Sequence, residues 1–139
     1  MRNPSRFPFR ITLLIWLVLI TTAWNVVRLA TAWSWRTTLQ TYAPHPGVAY
    51  IAITGLIWTL LGLSVLWSIW RGARWTRPLL LIATIAYCVW IWADRLITQN
   101  PLHANWPFDL FVTVILLGFT AYVVLDPHNE AYFRKEKHE

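Results

Sequence analysis

Six polar side chains lie within or beside long apolar stretches at helical spacing, and they are the residues best able to do chemistry. They are Asn25, Arg28, Tyr87, Asp94, Arg95 and Asp109. An arginine guanidinium binds carboxylates and phosphates through a planar fork of N–H donors. Charged residues at the edge of a membrane often mark a binding site. The set therefore predicts a pocket for an anionic lipid or a quinone-like molecule, although Arg28 could instead pair with Asp94 and only pin two helices together.

Enzymatic motifs are missing from the sequence. We find no nucleophile elbow, no glycine-rich phosphate loop and no His-Glu-x-x-His. Asp94 and Asp109 could act as an acid and base pair if they converged, which leaves a membrane enzyme as a weaker alternative. We predict a non-enzymatic protein with no catalytic residues.

Metal and cofactor sites are not predicted either. The single cysteine, Cys88, excludes an intramolecular disulfide and a Cys-x-x-Cys pair. All four histidines fall outside the apolar stretches, and two of them, His45 and His103, are expected on the same side without a further donor. We therefore expect no metal and no cofactor.

Composition sets the class of the protein. Hydrophobic residues make up 57% of the 139 positions and charged residues 13%, which is too apolar for an ordinary soluble domain. A hydrocarbon core about 30 Å thick needs about 20 apolar residues per helix. Four stretches fit, at about 11–32, 48–70, 78–99 and 107–125. We predict an all-α polytopic membrane protein, a four-transmembrane-helix bundle forming one membrane domain over 1–139, with a charged tail at 127–139.

Charge distribution predicts the orientation. The net charge is +6, but the cations cluster beside the apolar stretches, so we expect no nucleic-acid partner. Nine Lys and Arg residues fall on one side of the four stretches and three on the other. The positive-inside rule then places both termini in the cytoplasm and the chain in the inner membrane. The 11 tryptophans suit interfacial belts, with Trp67, Trp70 and Trp75 on the inner side and Trp33, Trp35 and Trp106 on the outer side.

Each stretch has one face on which polar or small residues recur with helical spacing. These faces are Thr21, Asn25, Arg28 and Ala32; Ala52, Gly55, Thr59 and Gly62; Thr84, Tyr87, Ile91, Asp94 and Thr98; and Asp109, Thr113 and Thr120. We expect the four faces to turn toward one another, with the small residues allowing close helix approach. Arg95 lies about 100° around the helix from Asp94 and should point elsewhere. Thr76 and Asn105 are predicted helix caps.

A weak internal repeat is also present. Arg10 and Arg28 match Arg77 and Arg95 at an offset of 67, and Leu and Thr recur after each second arginine. A duplication would make two hairpins, a 2+2 arrangement about an axis along the membrane normal. Chance matching of Leu-rich stretches is the alternative.

The segment Trp92-Ala93-Asp94-Arg95-Leu96, followed by Asn105-Trp106-Pro107-Phe108, resembles small four-helix bacterial integral membrane proteins of uncharacterised function. In topology the chain also resembles the DoxX-like four-helix class. The resemblance implies a four-helix membrane fold and brings no activity with it.

No charged residue is predicted near the membrane midplane, which argues against ion or proton transport. We therefore predict an accessory or assembly subunit of a larger membrane complex. Its partners would be the lipid bilayer and other membrane subunits or further copies of itself. The alternative is an outward-facing binding protein for an anionic lipid or a quinone-like molecule.

Overall fold

The computed structural model describes residues 9–42, 47–73, 75–98 and 106–126. The only regular secondary structure among these residues is helical: α1 (Phe9–Ser34), α2 (Arg36–Tyr42), α3 (Val48–Arg71), α4 (Thr76–Thr98) and α5 (Trp106–Leu125). All but α2 are long and apolar enough to cross a membrane. The predicted all-α bundle with four helices of transmembrane length is confirmed, and these helices begin and end within two residues of the predicted boundaries.

The four long helices form a ring in which each helix is antiparallel to its neighbours. Helix α1 packs against α3 and α5, and α4 packs against the same two helices, so α1 and α4 are diagonal. One end of the ring carries Asp94 and the other carries Asp126, and we call them the Asp94 end and the Asp126 end. The buried apolar core lies toward the Asp126 end and consists of Ile11, Leu14, Val65, Ile69, Leu80, Val123 and Val124.

Glycines hold α1 and α3 close together. A Cβ placed on Gly55 would lie 3.1 Å from the backbone nitrogen of Leu29 and 3.2 Å from the carbonyl oxygen of Asn25. A Cβ on Gly62 would meet the side chain of Thr22. The small-residue face of α3 therefore contacts α1 as the sequence predicts, and close van der Waals packing of this kind joins helices in a lipid environment.

The turn between α3 and α4 corrects the prediction that Thr76 caps α4. Thr76 is fully buried and is already helical, and its hydroxyl donates to the carbonyl oxygen of Ser68 at 2.9 Å. The N–H of Ala73 donates to the same carbonyl at 3.2 Å, and Gly72 takes the left-handed conformation (φ 66°). Thr76 therefore closes the end of α3, because the last carbonyls of a helix have no intrahelical donor.

The helix α2 was not predicted. The first two predicted stretches, at about 11–32 and 48–70, leave a gap in which no helix was predicted. The helical hydrogen bonds nevertheless continue past Ser34, because the N–H of Trp35 donates to the carbonyl oxygen of Thr31 and that of Leu39 to the carbonyl oxygen of Trp35. Because residues 35–42 contain neither glycine nor proline, nothing stops the helix before the prolines that follow. No residue of α2 is buried.

Several predictions concern residues outside the described part of the chain. These are the cap at Asn105, the four histidines, the side chain of Thr98 and the tail at 127–139. The internal repeat is not confirmed. Its two matching arginines make different contacts, because Arg28 reaches the diagonal helix α4 whereas Arg95 pairs with α5.

Candidate functional site

The first cluster at the Asp94 end joins three helices around one carboxylate. Both terminal nitrogens of Arg28 approach the Asp94 oxygens at 3.4 Å, and the hydroxyl of Tyr50 in α3 donates to Asp94 Oδ1 at 2.8 Å. The Arg28 guanidinium also lies 4.7 Å from the ring centre of Trp90. Charge and a cation–π contact thus hold α1 to its diagonal partner α4. Tyr50 was missed because its stretch was analysed only for its small residues.

A second ion pair joins α4 to α5. Arg95 pairs with Asp109 in the first turn of α5, and the arginine side chain is only 3% exposed whereas that of Asp109 is 23% exposed. Trp92 supports the same junction, because its Nε1 donates to the Thr113 hydroxyl at 3.2 Å. Arg95 is the most buried charged residue in the described part of the chain. As predicted from the helix geometry, it does not share the direction of Asp94.

A third ion pair closes the Asp126 end. Arg10 pairs with Asp126, which directly follows α5, and its guanidinium lies 4.9 Å from the ring centre of Tyr122. Arg10 was predicted to contribute to the orientation and to the internal repeat, and no ion pair was predicted for it. The pair could have been predicted from the sequence, because an up-and-down bundle of four helices brings the start of its first helix and the end of its last helix to the same side.

An aromatic cluster lies next to the Arg28 pair. Trp58 of α3 makes an edge contact with Tyr87 at 4.9 Å between ring centres, and Trp90 lies 5.4 Å from Trp58 and 5.5 Å from Tyr87. The amide nitrogen of Asn25 donates to the Tyr87 hydroxyl at 3.2 Å. Trp58 was not among the predicted site residues, because tryptophans were interpreted mainly as interfacial belts.

A cavity of about 60 Å³ lies in the middle of the bundle, between all four long helices. Its polar lining consists of Thr21, Thr22, Asn25, Thr84, Tyr87 and Thr120. Val65 and Leu80 of the apolar core line it as well, as does Trp58 of the aromatic cluster. The predicted polar faces of the first, third and fourth stretches thus meet here. No pattern in the sequence indicates the internal space between them.

The six predicted site residues therefore form three pairs: Asn25 with Tyr87, Arg28 with Asp94, and Arg95 with Asp109. The acids Asp94 and Asp109, considered as an acid and base pair, each contact a different arginine. Among the described residues, no group of three or more His, Cys, Asp or Glu side chains could hold a metal ion.

The fold and these contacts define an all-helical bundle whose four long helices have the length and composition of membrane spans. No known protein family, no curated protein and no solved structure matches the chain.

Proposed function

We propose that this chain is a non-enzymatic multi-pass membrane protein that acts as an accessory or assembly subunit of a larger membrane complex, composed of other membrane proteins or of further copies of itself. The observation that carries the proposal is the interior of the bundle. Each of the three described carboxylates, Asp94, Asp109 and Asp126, is paired with an arginine of another helix. These charged residues therefore connect the helices of the bundle. Contacts with a partner must then be made by the outer surface of the bundle.

The size of the interior supports the same proposal. A pocket for a drug-sized ligand or cofactor typically has a volume of about 300–1,000 Å³. The cavity between the helices, at about 60 Å³, is far smaller. A substrate, quinone or lipid does not fit there without separating the helices.

The outer face of α1 is the surface that we propose for partner contact. Trp16, Ile20 and Trp24 recur there at four-residue spacing and are 57%, 61% and 63% exposed. From the helical rise, Trp16 lies about 9 Å from the level of Arg10, and Trp24 about 6 Å from the level of Arg28. Both tryptophans are therefore deeper than an interfacial belt requires, and large aromatic side chains are preferred anchors in protein interfaces.

Orientation is part of the proposal. Counted along the sequence, nine cations fall on the side of the apolar stretches that holds both termini and three fall on the other side, which favours cytoplasmic termini in the inner membrane. Exposed tryptophans occur at both ends, with Trp67, Trp70 and Trp75 at the Asp126 end and Trp33, Trp35 and Trp106 at the Asp94 end.

Photo-crosslinking from lipid-facing positions tests the proposal. We expect a photoreactive phenylalanine analogue at Trp16 or Trp24, placed in native membranes, to give a protein adduct of one fixed mass. The matched control is Ile82, which is 67% exposed on α4 and should crosslink mainly to lipid. Lipid adducts alone at all three positions would refute partner contact through α1.

A binding function at the Asp94 end is the second candidate. It is favoured by the loose geometry of the Arg28–Asp94 pair, in which both distances are 3.4 Å and both side chains remain 19% exposed. An anionic lipid headgroup or a quinone-like molecule could compete with Asp94 for the arginine. The remaining predicted ligand residues, Asn25, Tyr87, Arg95 and Asp109, would then only support the site, because each already contacts another helix.

A double-mutant cycle separates the two functions. If Arg28 is a pin, Arg28→Leu should lower the free energy of unfolding by about 1–2 kcal/mol. Adding Asp94→Leu should then cost little more, because the interaction is already lost. Unfolding in detergent and mass spectrometry of copurified lipid are measured on the same samples. A double mutant that remains as stable as the wild type but loses a bound lipid supports the binding function, and single mutants with wild-type stability and lipid content would exclude both roles.

A further inference from the structure

We propose that the cavity in the middle of the bundle is a binding site for a small cluster of water molecules, which link the Tyr87 hydroxyl to the side-chain oxygen of Asn25. Two polar groups that line the cavity, together with the volume of the cavity, indicate that the ligand is water.

The first polar group is the oxygen of Asn25. The residue is only 1% exposed, and its amide nitrogen donates to the carbonyl oxygen of Thr21 at 2.8 Å and to the Tyr87 hydroxyl at 3.2 Å. Its Oδ1 is buried and accepts no hydrogen bond. A buried polar atom without a partner is costly and is normally satisfied by protein or by ordered water. Since Asn25 lines the cavity, a donor in that space can reach it.

The second polar group is the hydroxyl of Tyr87, which lines the same cavity. Its oxygen accepts from Asn25, so its own proton must be donated elsewhere. Among the described residues, no hydrogen bond has the Tyr87 hydroxyl as its donor. A molecule that accepts from Tyr87 and donates to Asn25 satisfies both groups at once, and water does this.

Further acceptors lie in the same space. The Thr84 and Thr120 hydroxyls are 3.4 Å apart, which is long for a hydrogen bond between hydroxyls, and both line the cavity. A buried water usually makes about three hydrogen bonds. The lining from α1, α4 and α5 offers enough polar atoms for that number.

Volume limits the ligand. One water needs about 10–15 Å³ of cavity volume, so a cavity of about 60 Å³ has room for a small cluster of waters and for nothing much larger. Val65 and Leu80 of the apolar core close the cavity toward the Asp126 end.

Water-edited solid-state NMR on the full chain in lipid bilayers tests the inference. We expect magnetisation from water to reach the Asn25 side chain and the Tyr87 ring several-fold faster than it reaches the buried methyl groups of Val123. Transfer at Asn25 and Tyr87 as slow as at Val123 would overturn the proposal. So would binding of xenon in the wild-type cavity, because xenon fills cavities that are dry.

A variant distinguishes cavity water from water at the ends of the bundle. Asn25→Leu replaces the amide by an apolar group of similar shape, so fast transfer to Tyr87 should be lost while transfer to Tyr50 at the Asp94 end stays unchanged. Chemical shifts report whether the variant folds. If it does not fold, Thr120→Val removes another polar group and should slow the transfer at Tyr87. Unchanged transfer at Tyr87 in a folded variant contradicts the proposal.

Discussion

Replacing Asp109 with leucine is expected to lower the free energy of unfolding by about 3–5 kcal/mol, because it leaves a buried guanidinium without its carboxylate. Arg95 is only 3% exposed, so water cannot readily take the place of Asp109. Unfolding titrated with a denaturing detergent, or steric trapping in bilayers, measures the change.

Removing Arg95 and removing Asp109 should not cost the same free energy of unfolding. Arg95→Leu leaves Asp109, which is 23% exposed at the start of α5 and keeps access to water and to the positive end of the helix dipole. Its effect should therefore be smaller than that of Asp109→Leu. The double leucine variant should recover most of the lost stability, because replacing both members of a buried ion pair by apolar residues is often close to neutral. Equal losses for the two single variants, or none, would contradict this account of the pair.

Hydrophobicity and length suffice to predict the four long helices, because a span of about 20 apolar residues has few other solutions in a membrane. The polar faces of α1, α4 and α5 could also be predicted from the sequence, since a helical period of 3.6 residues fixes which residues share a face. These two regularities are local, and each can be counted along the chain.

The partners of the charged residues were harder to predict, because they depend on the order of helices around the ring. Asp94 and Arg95 are adjacent in sequence but point about 100° apart. The sequence separated their directions and offered Arg28 as a partner for Asp94, but it gave no partner for Arg95. The ring order answers this: Asp94 meets Arg28 of the diagonal helix, and Arg95 meets Asp109 of the neighbouring one.

Three features were missed for a different physical reason. The continuation of α1 into α2 depends on backbone hydrogen bonds that polar residues allow as readily as apolar ones. The contact of Thr76 with Ser68 depends on the tight turn at Gly72. The cavity arises where the side chains of four helices fail to fill the space between them. None of these leaves a period or a motif in the sequence.

Gly62→Ala is expected to destabilise the bundle by about 1–3 kcal/mol, the usual cost of overpacking a close contact. The added methyl would overlap the hydroxyl oxygen of Thr22 and lie 3.1 Å from its Cβ and Cγ2. Thr22 cannot easily rotate away, because it is β-branched and its hydroxyl donates to the carbonyl oxygen of Val18 at 2.7 Å. The two helices must therefore move apart, and the contact between α1 and α3 is weakened.

Gly118→Ala is the matched control, since no atom lies within 4 Å of a Cβ at that position. It should leave stability unchanged or raise it by up to about 1 kcal/mol through helix propensity. Thr22→Ala in the Gly62→Ala background should restore stability, because it removes the atoms that clash. Thermal and detergent unfolding of the four proteins decide the matter. If Gly62→Ala behaves like Gly118→Ala, the close approach of α1 and α3 is not what holds this hairpin together, and the polar contacts of Arg28 and Tyr50 with Asp94 must carry that role.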